Sequence, residues 1–228
     1  QVDKPTTEAA LKSSAAAHLA SSGERPTPKR IQRMVKDALA QCEIAATLQA
    51  IEDAGGKAVY VSADVTDEAA LRTGVAEAVA RLGAPITGVI HGAGVLADKL
   101  IEYKTLDDFK TVYDVKVHGL ENMLKCAPLD QLSHLILFSS VAGFYGNAGQ
   151  ADYAIANEVL NKVAHAVKRA HAVKRTHPAC RVLAIDWGPW DGGMVTPALK
   201  ARFEQLGIDV IPMERGTEIL AELVTSSY

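Results

Sequence analysis

Cysteine is scarce in this chain: Cys42, Cys126 and Cys180 are odd in number, far apart and without metal-ligand spacing. That argues against a disulfide framework or a bound metal, and buried reduced thiols are expected. Long apolar runs are lacking too, since no stretch approaches ~18 apolar residues, and no basic segment followed by an apolar region opens the N-terminus. Neither a membrane span nor a secretory signal is expected, which points to a cytoplasmic protein. Charge of one sign is also missing. With 24 Lys and Arg against 27 Asp and Glu the formal net charge is -3, and the basic residues are dispersed except in one helix. A nucleic-acid partner is therefore not expected. What the chain does have is hydrophobic content, 48% of 228 residues, enough for one sizeable core.

Four apolar runs punctuate it: Ala58 to Val61, Ile86 to Ile90, Leu135 to Phe138, and Val182 to Ile185. They read as strands. Helical patterns lie between them, over Asp67 to Leu82, Asp107 to Cys126 and Asp152 to about Arg169. Such alternation predicts parallel strands joined by right-handed crossovers, an α/β doubly wound sheet. The unusual clusters follow the strands: Ser62-Ala63-Asp64, His91-Gly92-Ala93-Gly94, Ser139-Ser140 and Asp186-Trp187-Gly188-Pro189. Ligands bind at the carboxyl ends of such strands, so these clusters mark the expected site.

Lys116, Ser140, Tyr153 and Asn157 can together hand a proton to a carbonyl oxygen. Tyr153 lies in Gly149-Gln150-Ala151-Asp152-Tyr153-Ala154-Ile155-Ala156-Asn157, which reads as the start of a helix, so Asn157 falls one turn on and on the same face. Ser140 ends a strand and points into the crevice, where the two hydroxyls can meet. Each residue also has an ordinary reading: a serine cap, a half-buried helix tyrosine, a solvated lysine, a surface asparagine. Their joint spacing favours chemistry.

From about Glu43 to Leu223 the chain resembles the ketoreductase domains of modular polyketide and polyunsaturated-fatty-acid synthases, a branch of the Rossmann-like short-chain dehydrogenase/reductase superfamily. The resemblance rests on Asp64-Val65-Thr66-Asp67, His91-Gly92-Ala93-Gly94-Val95-Leu96, Lys116-Val117-His118-Gly119, Phe138-Ser139-Ser140-Val141-Ala142-Gly143, Gly149-Gln150-Ala151-Asp152-Tyr153 and Trp187-Gly188-Pro189-Trp190. Ordinary members carry a lysine four residues after the tyrosine; here that place holds Asn157 and the lysine is Lys116, an exchange the ketoreductase branch shares. The resemblance implies that Tyr153 protonates the nascent alkoxide while NADPH delivers hydride, and that Ser140 hydrogen-bonds the carbonyl. Lys116, as a nearby cation, would lower the tyrosine pKa from about 10. It further implies cofactor contacts at Asp64, Val65, Gly92, Ala93, Gly94, Lys116, Tyr153, Gly188 and Pro189. Substrate would arrive on acyl carrier protein through phosphopantetheine, with neighbouring synthase domains as partners.

Leu96-Ala97-Asp98 aligns with the Leu-Asp-Asp signature of B-type ketoreductases, and Tyr145 stands where A-type enzymes carry tryptophan. This favours a D-configured hydroxyl, although Ala97 departs from the signature. Met194 opens the segment to Gly207 that resembles the family's substrate-recognition region. The family's pyrophosphate loop, a strand, glycine-rich turn, helix and second strand, does not precede Glu43. Residues 1 to 42 instead read as a helical insertion: a helix from about Thr7 to Ala20, a break over Gly23 to Pro28, and a second helix from Lys29. The core is expected over 43–228, incomplete at its N-terminus. In a 3-2-1-4-5 strand order the two absent strands leave roughly 14 Å between the Val59 and Val89 strands, so they are expected from elsewhere, upstream or on another chain. Gln1 in first place and the end at Ser226-Ser227-Tyr228 agree with that expectation. The hexapeptide Ala164 to Arg169 recurs as Ala170 to Arg175 and either extends its helix or bulges into a loop. A catalytically silent scaffold and a free-standing reductase of small ketones remain open alternatives to a synthase ketoreductase.

Overall fold

The computed structural model describes residues 8–174 and 180–226, with side chains over 9–170 and 180–226. Two helices come first, α1 (Glu8–Ser21) and α2 (Pro28–Asp53). The expected break separates them. Gly23 takes the left-handed φ of 75°, Thr27 caps α2 by accepting from the Arg30 amide, and Pro28 fits the first turn, where no amide donor is needed. Ala15, Leu19 and Val35 are buried where the two helices pack. Thr7 lies outside the described residues. Helix α2 runs on to Asp53, past Glu43, and one compact unit closes at Val61 while a second opens at Ser62.

The strand expected at Ala58 to Val61 is not formed. Those residues belong to no ladder, because a strand requires a neighbour to take its backbone hydrogen bonds. The second unit opens with α3 (Glu68–Leu82), capped by the Asp67 carboxylate on the Ala70 amide and closed by Gly83 at φ 68°. Strand β1 (Gly88–His91) follows, then α4 (Leu106–Tyr113) with a reciprocal Thr105/Asp108 capping box. The single helix expected over Asp107 to Cys126 is interrupted. A π-helical turn occupies Asp114–His118 before α5 (Gly119–Cys126) resumes.

Strand β2 (His134–Ser140), the short α6 (Val141–Tyr145), α7 (Ala151–Lys174), β3 (Arg181–Trp187), α8 (Pro197–Gln205) and α9 (Met213–Thr225) complete the described order. The hexapeptide repeat therefore extends α7 to Lys174, and Arg175 lies outside the described residues. Among the described residues the strands form one parallel sheet in the order β1-β2-β3, with Leu135 opposite Val89 and Val182. Its centre is apolar on both faces, as a covered parallel sheet requires. Leu135, Ile136 and Leu137 are fully buried, and Leu160, Ala164 and Val167 of α7 join Val89, Leu120, Leu135, Leu137 and Val182 in the core. Burying each leucine contributes about 1.5–3 kcal/mol. Of the three free thiols only Cys180 is buried; Cys126 is half-buried and Cys42 exposed, which corrects the expectation of three buried thiols. No described helix is long and apolar enough to cross a membrane.

Candidate active site

Parallel pairing places the carboxyl ends of β1, β2 and β3 on one edge of the sheet, and the predicted clusters follow them. Strand alternation settles which serine faces the crevice. The Ser139 side chain is buried and donates to the Asn157 carbonyl at 3.0 Å. Ser140 is half-buried at the strand end and caps α6, its Oγ accepting from the Ala142 amide at 3.2 Å. Tyr153 stands in the first turn of α7, and Asn157, fully buried, donates Nδ2 back to the Tyr153 carbonyl at 2.7 Å. The other amide atom, Asn157 Oδ1, is buried without a hydrogen-bond partner. Gly143 lets α6 approach α7 closely: a Cβ there would sit 3.0 Å from the Glu158 nitrogen and 3.1 Å from Asn157 Cβ.

Lys116 reaches this group from the π-helical turn. Its Nζ donates to the Phe138 carbonyl at 2.9 Å and lies 5.6 Å from the centroid of the Tyr153 ring. The Lys116 carbonyl accepts a 2.8 Å hydrogen bond from the buried His91 at the end of β1. Because a carbonyl only accepts, His91 Nε2 carries the proton and Nδ1, which has no partner, is the bare nitrogen. Burial lowers the His91 pKa, keeping that ring neutral. Such single-turn π segments recur at functional sites, and this one delivers a buried ammonium to the tyrosine ring.

Burial pushes the Lys116 pKa down to about 8. It also raises that of Tyr153; hydrogen bonding by the Asn157 and Ser140 side chains opposes the rise, and the charge of Asp98 adds to it. The net shift is therefore upward, which corrects the expectation of a tyrosine pKa lowered by Lys116: desolvation of the phenolate outweighs the nearby charge.

The remaining expected residues fall into two places. Gly94 lies beside the lysine, where an added Cβ would come within 3.2 Å of both Lys116 Cε and Met194 Cε. Leu96, Asp98 and Met194 are exposed, Asp98 accepting from Gln150 Nε2 at 2.9 Å. Gly92 and Ala93 continue from β1, and a Cβ at Gly92 would meet the Phe138 ring at 3.8 Å. Gly188 and Pro189 continue from β3, the Pro189 carbonyl accepting from the Ile211 amide at 2.7 Å. Trp187 packs edge-on against Trp190 with centroids 4.8 Å apart. Asp64 and Val65 lie on the loop before α3, with Val65 packed on Gly119, where an added Cβ would be 2.9 Å from Val65 Cγ2 and 3.7 Å from His91 Cε1. Asp64 accepts from the Thr66 amide and hydroxyl, which lower its pKa, while Asn122 holds the loop through the Val65 and Thr66 carbonyls at 3.0 and 3.3 Å. Sequence reasoning gave no role to His91, Asn122, Lys104 or Asp152. Their partners lie 25 to 57 residues away, and no local pattern announces such contacts.

A family model described as KR domain matches residues 7–192. The chain is 44% identical over 225 residues to a polyunsaturated fatty acid synthase of Thraustochytrium sp. (strain ATCC 26185 / S-3), covering 99% of this chain and 8% of that protein. It is 34% identical over 176 residues to "Polyketide synthase PksL" of Bacillus subtilis (strain 168), covering 76% of this chain and 4% of that protein. Among solved structures, a ketoreductase domain from the bacillaene assembly line aligns with TM-score 0.66 and 34% identity over 79% of this chain and 43% of that one. PlmKR1, a ketoreductase of phoslactomycin biosynthesis in Streptomyces sp. HK803, aligns with TM-score 0.69 and 29% identity over 81% of this chain and 41% of that one. The chain thus spans less than half the length of these relatives.

Proposed function

Because the chain belongs to the KR domain family, whose structures are Rossmann-like short-chain dehydrogenase/reductases, we propose that it reduces a 3-oxoacyl group to a 3-hydroxyacyl group with NADPH. The acyl group is held on acyl carrier protein by phosphopantetheine within a multidomain synthase. One observation carries this reading: Ser140, Asn157 and the Lys116 ammonium converge on a single tyrosine, Tyr153.

The raised pKa keeps Tyr153 protonated at neutral pH, as a general acid must be. Ser140, with its Oγ at the strand end, hydrogen-bonds the substrate carbonyl and orients it toward the Tyr153 hydroxyl. As the proton leaves, the Lys116 charge over the ring favours the developing phenolate, a stabilisation made in the transition state. Buried Asn157 fixes the first turns of α7 and offers Oδ1 to a water or hydroxyl that restores the proton.

Bound NADPH supplies the hydride for the carbonyl carbon. The residues present fit it in one respect: Gly94 carries no side chain where a Cβ would stand 3.2 Å from both Lys116 Cε and Met194 Cε, so the backbone after β1 runs close to the lysine. Gly92, Ala93, Gly94, Gly188 and Pro189 would line the cofactor, and Asp64 and Val65 would meet its adenine end. The resemblance of Leu96-Ala97-Asp98 to the Leu-Asp-Asp signature supports a B-type, D-hydroxyl outcome, and the charge of Asp98 acts on Tyr153. The test is reduction of a 3-oxoacyl thioester by the complete synthase against its Tyr153→Phe variant. A fall of about 10²- to 10⁴-fold is expected for loss of the acid, and an unchanged rate removes Tyr153 from that role.

A further inference from the structure

We propose that the buried ion pair between Lys104 and Asp152 is a positioning device, fixing the loop that carries Leu96 and Asp98 against the start of α7 and so setting how the acyl group presents its carbonyl to Tyr153. This rests on the ketoreductase reading. Lys104 Nζ donates at 2.7 Å to the Ala97 carbonyl and at 2.7 Å to Asp152 Oδ2. Their side chains retain only 5% and 0% of their exposure. Asp152 Oδ1 accepts in turn from the Tyr153 amide at 2.9 Å. One continuous polar chain therefore runs from the residue before Asp98 to the backbone of the proposed acid.

Two more ties cross the same seam. Gln150 Nε2 donates to Asp98, and the Lys99 amide donates to the Gly149 carbonyl at 2.9 Å. Asn147 Nδ2 holds Gln150 in turn, at 2.8 Å to its Oε1. A buried ion pair adds little net stability over an apolar pair of the same volume, because desolvating both charges offsets their attraction; fixing one arrangement is what such a pair does best. Here the arrangement fixed is the place of Asp98, whose charge reaches the Tyr153 hydroxyl. Lys104 and Asp152 touch no reacting atom in this scheme and act only through Ala97, Asp98 and Tyr153.

The complete synthase should be assayed with a 3-oxoacyl thioester and NADPH, reading kcat, KM, product enantiomer ratio and thermal unfolding together. For Lys104→Met, kcat/KM is expected to fall about 10²-fold, the scale of a 1 Å misplacement, with erosion of the enantiomer ratio; Lys104→Arg, which keeps the charge, should recover part of both. If Lys104→Met does not fold, the charge-free pair Lys104→Met with Asp152→Leu gives the same reading, since it removes both charges without stranding one. A merely structural role would lower the folded fraction and leave KM and enantiomer ratio of the folded enzyme as in wild type. That result, in either folded variant, overturns the proposal. A wild-type synthase that leaves the thioester unreduced overturns the ketoreductase reading, and this proposal with it.

Discussion

Lys116 carries two opposed demands in the proposed mechanism, where its charge favours the phenolate while its burial penalises that charge. Its side chain is nearly enclosed and its pKa falls from 10.5 to about 8. The unfolded chain therefore binds more protons than the folded one between about pH 8 and 10.5, and stability rises with pH across that window. The full effect is at most about 3 kcal/mol at 1.36 kcal/mol per pH unit. Tyr153, an acid with a raised pKa, contributes the opposite trend above about pH 10, so the clean window lies below that. In Lys116→Met the rise should vanish, which denaturant melts at pH 7, 8 and 9.5 would register; an equal slope in both proteins contradicts the buried cation. Activity should move the other way. Wild-type kcat/KM should decline above about pH 8 as Lys116 loses its proton, and Lys116→Met should be slow at every pH and lack that limb.

The contact between α6 and α7 is where one atom should disturb a whole element. Gly143→Ala would place a methyl 3.0 Å from the Glu158 nitrogen and 3.2 Å from the Asn157 carbonyl carbon, backbone atoms of a helix that cannot give way singly. A loss of about 1–3 kcal/mol in urea unfolding is expected for such overpacking, together with reduced turnover because Asn157 and Tyr153 move with the backbone. Wild-type stability and rate in that variant would show that the helices have slack. The strands Ile86 to Ile90, Leu135 to Phe138 and Val182 to Ile185 were legible because each is an apolar run closed by small residues, and β1, β2 and β3 form there. That Ser140, Tyr153 and Asn157 lie near one another was legible through spacing that one helix and one strand end enforce, whereas Lys116 comes to them from the π-helical turn. Residues 58–61 misled, because an apolar run states a propensity to pair and says nothing of whether a partner is at hand. The π-helical turn left no trace, since Asp107 to Cys126 keeps a helical apolar pattern through it. Lys104 and Asp152 had no role in the sequence reading, because only the fold brings them together across 48 residues.

At the scale of the molecule, the sheet shows its unfinished side at β1. Among the described residues β1 and β3 each pair with β2 alone, and it is at β1 that a large apolar strand residue, Ile90, is 53% exposed. Parallel sheets are found with both faces covered, and a bare edge is a template for another strand. We expect a further parallel strand, from outside residues 1–228, to pair with β1 and bring the glycine-rich turn for the NADPH pyrophosphate. In a polypeptide of residues 1–228 alone, the β1 amides that face away from β2 should exchange hydrogen rapidly, and NADPH should bind more weakly than micromolar, a threshold of about -8.2 kcal/mol. In the complete synthase the same amides should approach the protection of the β2 core, because opening them would then require breaking a central ladder. Equal protection of residues 88–91 in both, or micromolar NADPH binding by residues 1–228 alone, would mean that β1 is a true edge and that the site is complete without a further strand.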